Sequence, residues 1–368
     1  MTFHIKPHQG IQTLTPYQPG KSIEAVQKET GLSDIIKLAS NENPLGCSPM
    51  ALQALRELPA SVYATYPSSL NHPLVTALAE KLAIEETQLF FSNGSDFIFG
   101  LLMTSFALYQ NKHIVTHDAA FSTYTIQAQT LNIPFRSVPI NSDWSVNTRH
   151  LIEACNEHTA LIFIANPNNP TGCLISHEDI EYLLQHIPEQ TLLVLDEAYY
   201  EYARSQQSKE SLSLLADYPN LIITRTFSKI YGLAGLRLGY AIAPPEIVRI
   251  LQRVQLPFTV NQAAMQAALA AIEDSSFIKQ TLNLTEEGMR QMQKGFHQLG
   301  YQYLPSAGNF LTFNCQEDGL TLFHYLLKRG IIIRPLHPYA MPEYLRVTIG
   351  TSEQNERFLQ ALAAFKNR

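Results

Sequence analysis

The amino-acid sequence predicts an α/β fold, with a mostly parallel mixed sheet in a three-layer large domain and a smaller α+β domain. Its 368 residues exceed the size at which a single hydrophobic core stops growing. Hydrophobic residues make up 45% and charged residues 16% of the chain, which is typical of a compact globular protein. Short apolar runs alternate with helical patterns over most of the chain, as they do in doubly covered parallel sheets.

The predicted strands of the large domain are short, apolar and bounded by turn residues, as buried strands are. They lie at residues 89–92, 113–116, 161–165, 192–195, 221–224 and 238–243. Helical patterns separate most of them, at residues 95–107, 124–131, 177–186 and 208–216. This alternation predicts helices on both faces of the sheet.

The pattern changes near Asn261. Residues 261–273 are rich in alanine and predict a long helix, and a second helical pattern continues to Gly300. Beyond it we expect strands at 310–313, 331–334 and 345–349 and helices at 321–328 and 353–365. We therefore predict an N-terminal arm (1–45) packing on the small domain, a large ligand-binding domain (46–272) and a small C-terminal domain (273–368).

Composition excludes several classes of function. The net charge is −6, and the basic residues are scattered, so no surface for nucleic acid or an anionic membrane is indicated. The four cysteines form no CxxC pair, and the first ten residues lack the apolar run of a signal peptide. No dinucleotide-binding, P-loop or zinc-protease motif is present. We expect a cytoplasmic protein that binds small molecules and no metal.

One candidate site residue, Asp196, follows an apolar strand directly in the run LLVLDEAYYEY. A carboxylate there is poorly solvated and needs a cationic partner, such as the protonated ring nitrogen of a cofactor. A helix N-cap explains the motif alone equally well. Tyr199, three residues further on, is either a second ligand contact or a packing aromatic.

A second strand end, in the run LIITRTFSKIYGLAGLRLGY, places Lys229 among small and apolar residues. Desolvation lowers the pKa of a lysine and makes it nucleophilic, as attack on an aldehyde requires. The hydroxyls of Thr226 and Ser228 and the guanidinium of Arg237 are candidates to bind a phosphate. The alternative is a surface lysine beside a glycine-rich turn.

Three weaker motifs also lie at predicted strand ends. In NGSD, Ser95 and Asp96 begin a helix whose free N–H groups suit a phosphate, although either residue is also an ordinary helix cap. Asn169 lies in the proline-bounded loop NPNNPTG, which is also plain turn chemistry. Phe121 follows the second strand and either stacks on a flat ring or packs in the core.

In this order, the motifs NGSD, NPNNPTG, DEAYYEY and TFSKIYGLAGLRLGY resemble the fold-type I, aspartate-aminotransferase-like family of pyridoxal phosphate enzymes. The similarity extends over nearly the whole chain. The segments LTPYQPG (14–20), LASNENPLG (38–46), TYP (65–67), IIIRPL (331–336) and LRVTIGT (345–351) are closest to its histidinol-phosphate aminotransferase branch. The resemblance implies a homodimer and reversible transfer of an amino group between histidinol phosphate and 2-oxoglutarate.

The resemblance also implies a role for each site residue. The catalytic residues would be Lys229, which carries pyridoxal 5'-phosphate, Asp196 at the ring nitrogen and Tyr199 at the ring oxygen. The other cofactor-binding residues would be Ser95, Asp96, Phe121, Asn169, Thr226, Ser228 and Arg237, with Tyr66 from a second subunit. The substrate-binding residues would be Tyr17, Asn43, Asn169, Arg334 and Arg346.

The sequence departs from the family pattern in two places. Phe97 follows NGSD where an acidic residue is more usual, and HPYAMP (337–342) replaces a glycine-containing turn between Arg334 and Arg346. Two other enzymes of this fold, an aromatic amino acid aminotransferase and a decarboxylase of a phosphorylated amino acid, stay open. A regulator on the same fold would carry a basic DNA-binding domain, which this chain lacks.

Overall fold

The structure is a computed structural model, and it describes residues 5–16, 20–68, 71–206 and 209–368. The strands in these ranges are β1 (Ile36–Lys37), β2 (Leu89–Ser92), β3 (His113–His117), β4 (Phe135–Val138), β5 (Thr159–Ala165), β6 (Leu192–Asp196), β7 (Leu221–Thr226), β8 (Gly239–Ile242), β9 (Gln302–Tyr303), β10 (Phe310–Asn314), β11 (Ile331–Ile332), β12 (Arg334–Pro335) and β13 (Tyr344–Thr348).

Helices connect most of these strands. They are α1 (Gln9–Gln12), α2 (Ile23–Thr30), α3 (Pro49–Arg56), α4 (Ser61–Ala64), α5 (Pro73–Leu82), α6 (Ser95–Phe106), α7 (Thr123–Thr130), α8 (Thr148–Ala154), α9 (His177–His186), α10 (Tyr200–Ala203), α11 (Pro245–Val254), α12 (Gln262–Glu273), α13 (Ser275–Leu299), α14 (Gly319–Leu327) and α15 (Ser352–Lys366).

The central sheet has seven strands in the order β2-β8-β7-β6-β5-β3-β4. All neighbouring strands are parallel except β8, which runs antiparallel to both β2 and β7. In β6, Leu193 and Leu195 join one hydrophobic core and Val194 joins the other, so the sheet is buried on both faces. Helices α6, α7 and α11 cover one face, and α5, α8, α9 and α12 contribute to the core on the other. The predicted three-layer α/β fold is confirmed.

A second sheet, which we call the C-terminal sheet, has the order β12-β13-β10-β9 and is antiparallel throughout. Its core contains apolar side chains of α13, α14 and α15, among them Phe296, Leu326 and Phe358. The strand β1 pairs in parallel with β11, so the segment at Ile36–Lys37 lies against this part of the molecule.

Three predictions of local structure were wrong or incomplete. The edge strand β4 was missed because its first three residues are exposed, which leaves it without an apolar run. The helix expected at 208–216 is, in its described part, a 3-10 helix at Ser211–Ala216. The strand expected at 331–334 is divided into β11 and β12, which pair with strands of different sheets.

Candidate active site

The carboxyl ends of β5, β6 and β7 and the N-terminus of α6 surround a cavity of about 140 Å³. Ligands bind at this edge in open α/β sheets. The cavity is lined by every residue predicted for the cofactor site except Tyr66: Ser95, Asp96, Phe121, Asn169, Asp196, Tyr199, Thr226, Ser228, Lys229 and Arg237. Ala165, Pro167 and Ala198 complete the lining.

Asp196 is the last residue of β6, and its side chain is buried. Burial raises the pKa of Asp196 to about 6, opposed by hydrogen bonds from Tyr124 and Thr224. The Tyr124 hydroxyl donates to Oδ2 over 2.9 Å, and the Thr224 hydroxyl donates to Oδ1 over 3.2 Å. Asp196 caps no helix, because α10 follows with Tyr199 as its N-cap residue. The carboxylate is instead poised for a cationic ligand group.

Lys229 lies in the loop after β7, and its Nζ donates to the carbonyl of Ser40 over 3.2 Å. Burial, assisted by the positive charge of Arg346, lowers the pKa of Lys229 from 10.5 to about 8. The alternative of an exposed surface lysine is therefore wrong. An appreciable share of this amine is uncharged near neutral pH, as a nucleophile must be.

The other end of the cavity is built for an anion. Ser95 is the first residue of α6, a twelve-residue helix, so free N–H groups and the positive end of the helix dipole face the cavity. Arg237 donates through Nη1 to the Ser228 hydroxyl over 3.4 Å and through Nη2 to Asp96 over 3.1 Å. Asp96 thus orients the guanidinium beside the helix N-terminus.

Two glycines keep this anion site open. A Cβ on Gly94, whose φ is 86°, would lie 2.5 Å from Nη2 of Arg237. A Cβ on Gly239 would lie 2.3 Å from the backbone nitrogen of Ser95. The close approach of β8 to the start of α6 therefore requires glycine, and it leaves the N–H groups accessible to a ligand.

Tyr199 and Asn169 lie on the side of the cavity that faces the C-terminal sheet. Asn41 donates through Nδ2 to the Tyr199 hydroxyl over 2.8 Å, which leaves the hydroxyl proton to be donated elsewhere. Asn169 accepts a short hydrogen bond at Oδ1 from Nη1 of Arg346. Phe121 is half-buried and contacts Tyr124 edge to face at 5.7 Å.

Arg346 brings the C-terminal sheet into the site. Its Nη2 also donates to the carbonyl of Ala39 over 2.7 Å, and the residue is buried. Arg334 stands directly opposite Arg346 in the pairing of β12 with β13. Opposed residues of an antiparallel pair share one face, so the two arginines lie side by side on one face of the C-terminal sheet.

Among the described residues, four predicted site residues do not line the cavity: Tyr66, Asn43, Arg334 and Arg346. Tyr66 is 81% exposed and stacks on Phe258 at 4.5 Å. Asn43 donates its amide to the carbonyl of Ile230 over 2.8 Å and to the Thr281 hydroxyl over 3.1 Å, so it supports the loop after Lys229. Tyr17 lies outside the described residues.

The sequence reasoning missed two side chains that hold the site together. Tyr124 donates a hydrogen bond to Asp196, although the two residues are 72 positions apart in the chain. The sequence contains one hint of this role: Tyr124 follows Phe121 by three residues at the start of a helix, a spacing that brings two side chains together. Asn41 forms hydrogen bonds with Tyr199 and Thr348. Its position within the segment LASNENPLG could have identified it as a site residue. The site as a whole suits a ligand with a cation at Asp196, an anion at α6 and an electrophile at Lys229.

Comparisons with known proteins agree with this geometry. The family model described as aminotransferase class I and II matches residues 33–362. Histidinol-phosphate aminotransferase 2 of Legionella pneumophila strain Lens is 60% identical over 363 residues, 99% of this chain and 98% of the relative. The protein of that name from Pseudomonas fluorescens strain Pf-5 is 42% identical and covers 96% of this chain and 95% of its own.

A solved structure is similar over the entire chain. Histidinol-phosphate aminotransferase from Sinorhizobium meliloti, in complex with pyridoxal-5'-phosphate, has a TM-score of 0.89 and 26% identity, and covers 100% of this chain and 99% of its own. The fold and the site define an aminotransferase. This chain belongs to the family of class I and II aminotransferases. In the described part of the chain, no helix has the length and apolar character to cross a membrane.

Proposed function

We propose that this chain is a pyridoxal phosphate-dependent aminotransferase that converts histidinol phosphate and 2-oxoglutarate to imidazole acetol phosphate and glutamate. The observation that carries the proposal is one cavity holding a buried Asp196, a nucleophilic Lys229 and the open N-terminus of α6. The names of the relatives at 60% and 42% identity support the choice of substrate. The four cysteines are unbridged, which suits a reducing cytoplasm.

The residues present fit pyridoxal phosphate. A protonated pyridine nitrogen would supply a cationic partner for the buried Asp196 carboxylate, which accepts hydrogen bonds from Tyr124 and Thr224. The phosphate matches the cradle of Ser95 and Arg237, which a Cβ on Gly94 or Gly239 would fill. The aldehyde matches the amine of Lys229, whose pKa is lowered to about 8.

When bound, the cofactor supplies a carbonyl that accepts the amino group and a cationic ring that draws electrons from the reacting carbon. Asp196 keeps the ring nitrogen protonated and is itself held by Tyr124 and Thr224. The amine of Lys229 would remove the proton from the α-carbon of the donor as a general base and would later return a proton as a general acid. Tyr199 donates its proton to the ring oxygen, because Asn41 already donates to the Tyr199 oxygen.

Substrate binding rests on Arg334 and Arg346. Like charges directly opposed in a sheet repel each other, so an anion between them lowers the energy of the pair. An arginine fork binds a carboxylate or a phosphate with two hydrogen bonds. Arg346 is anchored to Asn169 and Ala39, so we assign it the carboxylate of glutamate. We assign the phosphate of histidinol phosphate to Arg334 and Tyr17, with Asn43 as a supporting residue.

The active enzyme is proposed to be a homodimer with shared sites. Tyr66 is 81% exposed and stacks on Phe258, which is 58% exposed. Tyr63 and Leu256 are exposed in the same two segments. An apolar patch of this kind is typical of a subunit interface. We propose that in such a dimer Tyr66 of one copy completes the phosphate end of its neighbour's cavity.

The experiment that tests the function compares amino donors in parallel with 2-oxoglutarate as acceptor. Histidinol phosphate is expected to give a kcat/KM at least about tenfold above phenylalanine and tyrosine, because only it offers a phosphate to Arg334. Higher kcat/KM with phenylalanine or tyrosine would establish the aromatic aminotransferase instead. Release of carbon dioxide from threonine phosphate would establish the decarboxylase.

A further inference from the structure

The C-terminal sheet is docked onto the rest of the molecule through one face. Tyr344 and Arg346 are two residues apart on β13 and therefore point to the same face. Leu345 and Val347 point the other way, into the core beneath the sheet. The substrate arginine and Tyr344 thus belong to one docking surface, and what fixes Tyr344 also fixes Arg346.

Trp144 is the residue that Tyr344 contacts. Their rings meet edge to face, with centroids 5.1 Å apart and an interplanar angle of 66°. Trp144 precedes α8 in the part of the chain that forms the central sheet, 200 positions before Tyr344. The contact therefore joins the C-terminal sheet to the loop between β4, the edge strand of the central sheet, and α8. Nothing in the proposed chemistry uses Trp144, which lies outside the lining of the active-site cavity.

The loop that carries Trp144 is well braced. The amide N–H of Asn141 donates to the carbonyl of Ser145 over 3.0 Å, and Ser145 donates through its hydroxyl to Asp143 over 2.6 Å. Asn147, the N-cap residue of α8, donates to Asn141 over 2.9 Å. Trp144 itself has a φ of 68°, a left-handed conformation that bulky residues rarely adopt. These hydrogen bonds and this backbone conformation fix the loop from which the Trp144 ring reaches Tyr344.

Two polar contacts continue the docking surface toward the active site. Thr312, which stands opposite Arg346 on β10, donates a short hydrogen bond to the carbonyl of Pro170. Arg346 donates to the neighbouring Asn169. These contacts form a continuous series from the Trp144–Tyr344 pair to Arg346. The aromatic pair and Arg346 therefore belong to the same interface.

We propose that Trp144 is a positioning residue for Arg346. It holds Tyr344 and hence β13 in the docked arrangement in which Arg346 reaches Asn169 and the substrate anion. This inference rests on the proposed function in assigning a substrate carboxylate to Arg346 and the phosphate of the amino donor to Arg334. Losing the aromatic contact lowers the fraction of molecules in which β13 and its partner strand β12 are docked. The apparent affinity for the carboxylate at Arg346 and for the donor phosphate at Arg334 therefore falls by that same fraction. Chemistry in the docked complex is unchanged.

The kinetic test uses Trp144→Ala and Tyr344→Ala, each measured as holoenzyme. Both are expected to raise KM for the amino donor and for the keto acid by the same factor, about three- to tenfold, with kcat within about twofold of wild type. The double variant should be no worse than the single ones, because the two rings act as one contact. Trp144→Phe keeps a ring and should stay within about twofold of wild type. Tyr109→Ala, at an exposed aromatic, is the control.

Unchanged KM in both alanine variants, or a fall in kcat at unchanged KM, would overturn the proposal. So would a rise in KM for only one of the two substrates. The two variants remove the contact from opposite sides, so if one fails to fold the other still decides.

A second readout needs no turnover. Trp144 is the only tryptophan of the chain, so fluorescence quenching by acrylamide reports its exposure directly. Maleate, a dicarboxylate with no amino group, should reduce quenching in the holoenzyme, because anion binding at Arg346 and docking favour each other. Arg346→Leu should abolish this response. Quenching that maleate leaves unchanged would overturn the inference, whereas absent turnover of histidinol phosphate would overturn only the proposed function.

Discussion

The buried Asp196 carboxylate serves the proposed chemistry but lowers the stability of the folded chain near neutral pH. Its burial raises the pKa from 3.8 to about 6, so the folded chain binds a proton more tightly than the unfolded chain does. Stability from this group is therefore present at low pH and is lost as pH rises from about 4 to about 6. A pKa shift of this size corresponds to about 3 kcal/mol in the free energy of unfolding. A cationic cofactor nitrogen beside Asp196 would recover that loss.

We predict that Asp196→Asn lowers kcat by about a hundredfold or more, because the ring nitrogen is no longer held protonated. The same substitution should stabilise the apoprotein by about 1 to 3 kcal/mol at pH 8, since it removes a buried charge. At pH 4, where the native carboxyl is already protonated, the gain should vanish. Denaturant unfolding of both apoproteins at the two pH values measures this. An equal effect at pH 4 and pH 8 would contradict it.

Tyr124 supports the same carboxylate. Tyr124→Phe keeps the ring, which stacks on Phe163 at 5.2 Å, and removes the hydrogen bond that lowers the pKa of Asp196. A hydrogen bond to a charged group is worth about 1.5 to 3 kcal/mol. We expect kcat to fall about tenfold or more, and the acid limb of the kcat profile to move to higher pH. A lower kcat with an unmoved acid limb would assign Tyr124 a packing role only.

At the scale of elements, the anion site depends on how closely β8 approaches α6. Gly239→Ala would place a Cβ 2.3 Å from the Ser95 nitrogen, a backbone atom that cannot move alone. We expect cofactor affinity to fall about tenfold or more, as the N–H groups are displaced. Gly235 is the matched control four residues earlier, because nothing lies within 4 Å of an added Cβ there. Equal affinity of the two alanine variants for cofactor, by titration of the apoproteins, would contradict this account.

Local pattern predicted the central sheet well because its strands are short, apolar and buried on both faces. The predicted strand at 192–195 and the observed Leu192–Asp196 differ by one residue. The same logic failed for β4, an edge strand with exposed side chains. It also failed at 331–334, where the chain passes from β11 to β12 and changes pairing partners. Those strand pairings join residues that are far apart in the chain, so a local sequence pattern cannot predict them.

At the scale of the whole molecule, the sequence predicted the residues that line the cavity but not the long-range contacts that hold these residues in place. Strand-end polar residues such as Asp196 and Lys229 are visible as interruptions of apolar runs, and the structure brings them together. Tyr124, Asn41 and Trp144 act across 72, 158 and 200 positions of the chain. Such contacts depend on the relative placement of sheets, which one sequence does not reveal.

The proposed homodimer leads to a prediction about shared sites. Tyr66→Phe and Lys229→Ala each impair one component of a site built from two chains. Mixed dimers should contain one site with both native residues, so activity after subunit exchange should exceed that of either parent variant. Tyr109→Phe mixed with Lys229→Ala is the control for exchange itself. Activities that merely average after verified exchange would contradict a shared site.

The most direct test of the account concerns Lys229. Holoenzyme reduced with borohydride fixes the cofactor to whichever amine holds it, and peptide mapping then identifies that residue. Lys229 is expected to carry the label, because its amine lies in the cavity and its pKa is lowered to about 8. Lys229→Ala should yield no specific label. A label on any other lysine, with Lys229 unmodified, would contradict the central claim.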